Sequence, residues 1–154
     1  MNKFQFLIED LTKHIGFNLE IDEKNSVYLE YEGLFIIIHY QNEKNSILLS
    51  SEVAIVEDGN ENSENVYRKA LELSFSGIET DNCFLGLEND KLILSKNVDI
   101  TDELDTEMFA QYLKSFADAA VHVRNNIFIA ENKKPSDSNI SENSTNLDNI
   151  ANLV

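Results

Sequence analysis

The N-terminal residues carry the hydrophobic pattern of an amphipathic helix. Apolar side chains recur at steps of three and four residues, and Gly16 follows as a stop signal. The pattern predicts a helix over residues 2–15. Because each helical residue turns by about 100°, Phe6 points nearly opposite the apolar stripe, where it is either a packing detail or a contact point. The stripe consists of Phe4, Leu7, Ile8, Leu11 and Ile15.

Three apolar runs with strand character follow, at residues 26–31, 34–40 and 46–51. Short polar or glycine-containing links separate them, which favours an antiparallel meander. The first run alternates as a half-buried strand should, whereas the second is apolar on both faces. Such a strand is either covered on both sides or exposes one apolar face to a partner. Its faces are Leu34, Ile36, Ile38 and Tyr40 on one side, and Phe35, Ile37 and His39 on the other.

The remaining pattern predicts a helix over residues 64–76, a two-stranded hairpin within residues 83–96, and a closing helix that ends near residue 129. Gly77 ends the middle helix in the usual place for glycine. The predicted order is α-β-β-β-α-β-β-α, an α+β domain with three helices and a single antiparallel sheet over residues 1–130. The stripe of the closing helix comprises Met108, Tyr112, Phe116, Ala119, Val123 and Ile127.

Residues 131–154 contain the only proline and are mostly serine, asparagine and charged residues. We therefore expect a disordered polar C-terminal tail. Its last residues, 150–154, have apolar character. The tail holds four of the 28 acidic residues, so the acidity belongs to the folded domain.

The overall charge narrows the classes of partner. The chain of 154 residues has 28 acidic and 12 basic residues, a net charge of −16. This charge disfavours binding to nucleic acid and to anionic lipid, and it favours solubility and a basic partner. No segment reaches the roughly 20 apolar residues of a membrane-spanning helix, and the N-terminus lacks a signal-peptide pattern. With Cys83 as the only cysteine, we expect a cytoplasmic protein without disulfides.

The sequence contains no recognisable catalytic or metal-binding motif. Cys83 lies in an apolar strand, where a buried packing role is the better interpretation. The histidines His14, His39 and His122 fall on separate elements without ligand spacing. A loop beginning at Asp58 lacks the glycine and the final glutamate of a calcium loop. We therefore expect no cofactor, no metal and no enzymatic activity. The acidic residues Glu79 and Asp81, between the middle helix and the hairpin, have no partner that the sequence pattern reveals.

Several stretches of the chain form a recognisable combination: FLIEDLTKHIGF in the first helix, the connector GIET at residues 77–80, FLGL at 84–87, KLILS at 91–95, and FAQYLKSFADAAVHVRN in the closing helix. Together they resemble the class I type III secretion chaperones of the Tir-chaperone (CesT-like) family. The resemblance covers roughly residues 3–129. Two features differ from the usual family pattern: the polar tail, and an acidic loop before the middle helix.

The resemblance implies a homodimer in the bacterial cytoplasm that holds the N-terminal segment of a secreted effector in extended form, soluble and competent for secretion. Cargo would enter grooves formed by the first helix and the sheet. The effector contacts implied are Phe4, Phe6, Phe35, Ile37, His39 and Leu48, of which Phe35 and Ile37 have ordinary core packing as an equal alternative.

The resemblance also implies a dimer built on the middle helix and a neighbouring strand. Its contacts would be Val66, Tyr67, Ala70, Leu71, Ser74, Phe75, Leu85 and Leu87, with monomer core as the alternative for Tyr67, Leu71 and Phe75. The secretion ATPase or a sorting-platform component is a further candidate partner. The rival hypothesis is an adaptor on the same fold that contacts a folded partner or a component of the secretion apparatus.

Overall fold

The computed structural model describes residues 1–133 and contains the predicted elements in the predicted order. The helices are α1 (Lys3–Ile15), α2 (Ser63–Ser74) and α3 (Thr106–Glu131), and short 3-10 turns cover Asn42–Lys44 and Phe75–Gly77. The strands are β1 (Ser26–Tyr31), β2 (Leu34–Gln41), β3 (Ser46–Ile55), β4 (Phe84–Glu88) and β5 (Lys91–Asp99). The expected tail at residues 131–154 falls almost wholly outside the described residues.

The five strands form one antiparallel sheet in the order β1-β2-β3-β5-β4. The α+β fold class and the single antiparallel sheet are therefore confirmed. Strand β3 extends four residues beyond the predicted end at residue 51, because it continues past a register shift between Glu52 and Ala54 to pair with β5. Hydrophobic alternation alone does not reveal such a bulge, since the extra residue breaks the period of two.

The helices cover one face of the sheet and bury the core there. Strand β2 alternates strictly, with Ile36 and Ile38 fully buried beneath the helices. Each such side chain contributes about 1.5–3 kcal/mol by leaving water. The long helix α3 packs across β3 and against α2, and it fills the centre of the core with Phe109 and Phe116. Within residues 1–133, no helix is long and apolar enough to cross a bilayer.

Candidate functional site

A groove of about 510 Å³ lies between α1, β1 and α3, and we call it the α1–β1 groove. It exists because α1 stops abruptly: Gly16 takes a left-handed conformation with φ 73°, which its lack of a Cβ permits. The next residue, Phe17, is 72% exposed at the mouth of the groove. Apolar side chains from three elements dominate the lining, namely Leu11, Ile15, Phe17, Tyr28, Leu29 and Leu113.

A polar cluster marks the rim of this groove. The ammonium group of Lys114 donates to Asp118 Oδ2 at 2.6 Å and to Tyr31 Oη at 3.1 Å, while the Tyr31 hydroxyl donates to Asp118 Oδ1 at 2.8 Å. The hydrogen bond that Lys114 donates to Asp118 is the largest cause that raises the pKa of Lys114 and lowers the pKa of Asp118, and the hydrogen bonds of Tyr31 act in the same directions. The cluster ties α3 to the end of β1, and so fixes the width of the groove.

Strand β1 lies at one edge of the sheet and borders the groove. On its outer side, alternate backbone N–H and C=O groups have no strand partner within the described residues. An extended segment placed in the groove could pair with these groups and insert alternate side chains among the apolar lining. The arrangement has the geometry of strand addition.

The second apolar surface is the face of the sheet opposite the helices, which we call the open sheet face. Phe35, expected as an effector contact, is 66% exposed there. The strand register continues this face across three strands, since Tyr28 lies opposite Ile37 and His39 lies opposite Leu48. Tyr28 also lines the α1–β1 groove, so the two surfaces join around the edge of β1.

Four of the six residues expected at the effector site thus meet on the open sheet face: Phe35, Ile37, His39 and Leu48. The His39 ring is held there by a 2.9 Å hydrogen bond between Nδ1 and Ser26 Oγ. Phe6 is exposed on the outer side of α1, away from the buried stripe, as the helical spacing indicates.

Phe4 lies in the core instead of at the surface. Its ring is 1% exposed and stacks on Tyr40 with 5.2 Å between ring centroids. The stripe spacing that predicted the helix already placed Phe4 on the inner side, which explains the difference. Phe4 therefore supports the position of α1 and offers no contact surface in this structure.

The residues expected at a dimer interface divide into two groups. Val66 and Ala70 are buried in the core of the single chain, which corrects their expected placement. Leu71 and Phe75 lie on the other side of α2 and the turn after it, and are 74% and 81% exposed. We call the exposed apolar area the α2–β4 surface. It consists of Leu71, Phe75 and Ile78, together with Leu87 on the edge strand β4.

The other expected interface residues lie beside this surface. Tyr67 and Leu85 are half-buried and pack against the core, and Ser74 is exposed. The Ser74 hydroxyl donates to the carbonyl of Ala70 at 2.8 Å, which fixes it to the end of α2. Strand β4 is exposed along nearly its whole length, although it lies in the sheet.

The connector over residues 77–82 packs its two acidic side chains against neighbouring elements. The Glu79 carboxylate forms a hydrogen bond with His122 Nε2 on α3. The Asp81 carboxylate accepts from Ser115 on α3 and forms a 3.2 Å ion pair with Lys96 on β5. No partner for either acid was visible in the sequence, whereas in the structure both acids have partners on neighbouring elements. The connector is therefore a structural link that ties this part of the chain to α3 and β5.

The residues considered for catalysis or metal binding remain apart. Burial raises the pKa of the Cys83 thiol to about 11, so it stays protonated at neutral pH. The three histidines lie on different elements: His14 on α1, His39 on β2 and His122 on α3. Among residues 1–133, no group of three His, Cys, Asp or Glu side chains is arranged to hold a metal ion.

Sequence reasoning missed the groove residues Ile15, Phe17 and Tyr28 as a possible site. The available signal was Phe17 directly after the helix stop Gly16, a large apolar residue at a position that favours exposure. The alternation of the first strand places Tyr28 on the face opposite Val27 and Leu29, which indicates exposure but no neighbour on another element. Nothing in the sequence indicates that the two aromatic side chains share one groove with α3.

A family comparison and several solved structures match this arrangement. The model of the Tir chaperone protein (CesT) family matches residues 6–124, which is most of the chain. No curated protein sequence matches this chain. The matched range begins in α1 at Phe6, contains all five strands and α2, and ends in α3 at Arg124.

Three solved structures have a similar fold at low sequence identity. A chain in the ExsC–ExsE complex is 18% identical with a TM-score of 0.63, covering 81% of this chain and 96% of that chain. A chain in the ExoU–SpcU heterodimer from the type III secretion system of Pseudomonas aeruginosa is 14% identical with a TM-score of 0.57, and the match covers 77% of this chain and 96% of that chain. A chain in the complex of the Yersinia pestis type III secretion chaperone SycH with a fragment of YscM2 is 20% identical with a TM-score of 0.53, and the match covers 79% of this chain and 99% of that chain. Identities this low show similarity of fold alone.

Proposed function

Because this chain belongs to the Tir chaperone protein (CesT) family, we propose that it binds the N-terminal segment of one or more secreted effector proteins in the bacterial cytoplasm. It would hold that segment in extended form, soluble and competent for secretion, without catalysis. The observation that carries the proposal is the continuous apolar area formed by the α1–β1 groove and the open sheet face. The complexes named among the similar folds support it by analogy.

The energy of such binding comes from apolar burial. Covering one large apolar side chain is worth about 1.5–3 kcal/mol. Ordering a disordered segment costs roughly 2–5 kcal/mol or more. Three or four cargo side chains covered in the groove and on the open sheet face therefore offset that cost and leave a net affinity. Pairing with the outer edge of β1 adds backbone hydrogen bonds that do not depend on the cargo sequence.

Within this proposal, the sheet-face residues Phe35, Ile37, His39 and Leu48 contact cargo together with the groove residues Phe17 and Tyr28. Phe6 contributes from the outer side of α1. Large exposed apolar areas on a folded chain are typical of interaction surfaces. The net charge of −16 keeps the protein dissolved despite them, and it favours a cargo segment with basic residues.

We further propose that the functional unit is a homodimer formed through the α2–β4 surface. Leu71, Phe75 and Ile78 would each be covered by the same surface of a second copy, which is the arrangement of a two-fold symmetric interface. A dimer would present two copies of the groove to one cargo segment.

The test is co-expression with the first ~100 residues of a secreted protein encoded beside this chain. We expect a soluble complex that co-purifies. The variant Phe17→Asp should weaken binding by about 10-fold to 100-fold, the equivalent of one lost apolar contact. The control Phe128→Asp changes an equally prominent aromatic side chain at the far end of α3 and should leave binding unchanged. Insoluble cargo with no complex, or equal loss in both variants, would contradict the proposal.

A further inference from the structure

The α1–β1 groove is open in the described part of the chain, although its lining is strongly apolar. Phe17 and Tyr28 at its mouth are largely exposed, and Ile15 is exposed as well. Uncovered apolar areas of this kind favour nonspecific association, which would compete with cargo binding in a chaperone without bound cargo. A cover that yields to cargo would solve this problem.

The chain outside the described residues contains one segment with suitable chemistry. Residues 134–146 read KPSDSNISENSTN, with Ile140 as the only aliphatic side chain, whereas residues 147–154 read LDNIANLV. In the latter segment Leu147, Ile150, Ala151 and Val154 have the i, i+3, i+4, i+7 spacing that puts side chains on one face of a helix. As a helix, this segment would present one apolar face.

The length of the intervening chain fits the distance to be covered. Ala117 lines the groove on α3, and Lys133 ends the described chain 16 residues later. At 1.5 Å per helical residue the separation along the axis is about 24 Å. A random coil of the same number of residues as the stretch 134–146 would have a root-mean-square length of about 20 Å. A linker that matches its span gives an effective local concentration near the millimolar range.

The composition of the lining also favours this groove. A second groove, beside the end of α3, is nearer to the segment. Its lining combines the apolar side chains Phe128 and Ile129 with the charged Arg68, Lys69 and Glu72, so it is less uniformly apolar than the α1–β1 groove.

We propose that residues 147–154 occupy the α1–β1 groove of their own chain when cargo is absent, and that cargo displaces them. The inference rests on the proposed function for the role of the groove in cargo binding. If the segment occupies the groove in about nine molecules out of ten, it raises the apparent Kd for cargo about tenfold. The segment would then act as an internal competitor that only a well-matched cargo displaces.

Hydrogen–deuterium exchange of the full, cargo-free chain tests the contact. In the double variant Ile150→Asp, Val154→Asp, amides of residues 15–19 and 28–31 should exchange up to about tenfold faster than in the unmodified chain. The matched control Ser141→Asp, Ser144→Asp adds the same charge to the spacer without touching the apolar face, and should exchange as the unmodified chain does. Equal exchange in all three proteins would overturn the inference. Groove protection that disappears on dilution would assign the cover to a second copy and would also overturn it.

A labelled peptide of residues 145–154 provides an independent readout. Its fluorescence anisotropy should report about tenfold tighter binding to the Ile150→Asp, Val154→Asp chain than to the unmodified chain, whose own segment competes. Adding Phe17→Asp should abolish the binding. Equal affinity for both chains would contradict the inference even if cargo binding is intact. Conversely, peptide binding without any cargo complex would leave this inference standing and remove the proposed function.

Discussion

At the scale of single residues, the connector between α2 and β4 is held in place by contacts that are distant in sequence. Asp81 accepts from Ser115 and pairs with Lys96, which lie 34 and 15 positions away. The hydrogen bond from Ser115 first, and the contact with Lys96 after it, lower the pKa of the Asp81 carboxyl below its usual value of 3.8. The ionised form of Asp81 therefore stabilises the folded chain.

This coupling predicts a pH-dependent loss of stability. A carboxyl whose pKa is lowered in the folded state contributes above its unfolded pKa, and loses that contribution as the pH falls through the folded pKa. Nearly half of the Asp81 side chain is exposed, so screening limits the contribution to about 0.5–1 kcal/mol. We expect Asp81→Asn to lower the free energy of unfolding by this amount at pH 6, with the difference vanishing below the folded pKa, as measured by urea denaturation across pH.

The exposed Asp99 at the end of β5 provides the matched control, because its side chain has no hydrogen bond or ion pair with any of residues 1–133. Asp99→Asn should change stability little at either pH. A difference between Asp81→Asn and the unmodified chain that stays constant from pH 6 into the acid range would contradict the assigned coupling.

At the scale of elements, α3 organises both the core and the groove. Its inner side carries Phe109 and Phe116, while Leu113 and Ala117 line the α1–β1 groove. Its first turn is fixed by Asp105, whose carboxylate Oδ1 accepts from the backbone N–H of Met108 at 2.8 Å. The start of α3 determines where Leu113 and Lys114 lie, so this cap also sets one wall of the groove.

Removal of the cap should destabilise the chain measurably. Asp105→Ala leaves a backbone N–H of the first turn without its partner and should lower the free energy of unfolding by about 1 kcal/mol. Asp105→Asn keeps an accepting oxygen and should cost less. The control Asp102→Ala removes a neighbouring carboxylate that caps no helix, and should stay within about 0.5 kcal/mol. Thermal or chemical denaturation that ranks Asp102→Ala equal to Asp105→Ala would rule out the capping role.

At the scale of the whole molecule, two opposite ends of the sheet have different exposed surfaces. Edge strand β1 borders the α1–β1 groove, and edge strand β4 adjoins α2 and the exposed side chains Leu71 and Phe75. A sheet with both edges uncovered is prone to uncontrolled pairing. Self-association at β4 and cargo at β1 would cover both edges, which connects the proposed dimer to the proposed function.

The dimer makes a simple prediction about mass. Light scattering of the purified chain should give about twice the 17.5 kDa of one chain. The double variant Leu71→Asp, Phe75→Asp places two charges in the α2–β4 surface and should give a monomer, because a buried unpaired charge outweighs the apolar gain. Phe35→Asp, a similarly exposed position on the open sheet face, should remain dimeric. A monomeric unmodified chain, or dissociation by Phe35→Asp alone, would refute the α2–β4 assignment.

The succession of elements could be predicted from the sequence because local patterns encode it. Periods of about 3.6 and 2 residues identify the helices and strands, and glycines mark their ends. The prediction was weaker where packing selects among neighbours. Met108 and Tyr112 were placed on the buried stripe of the closing helix, yet both are over a third exposed, and Phe109 takes the inner position. A shift of one residue rotates a helix face by about 100°, and only the sheet beneath fixes the choice.

By itself, the sequence determined the element order, the apolar second face of β2 and the high negative charge, since each depends on residue type and spacing alone. It also carried the stretches through which the family was identified. Only the tertiary structure decided that Phe17 and Tyr28 share a groove, that Phe4 and Val66 belong to the core, and that Glu79 and Asp81 bind α3 and β5. These outcomes depend on which elements meet in space, and contacts between distant residues leave no periodic trace along the chain.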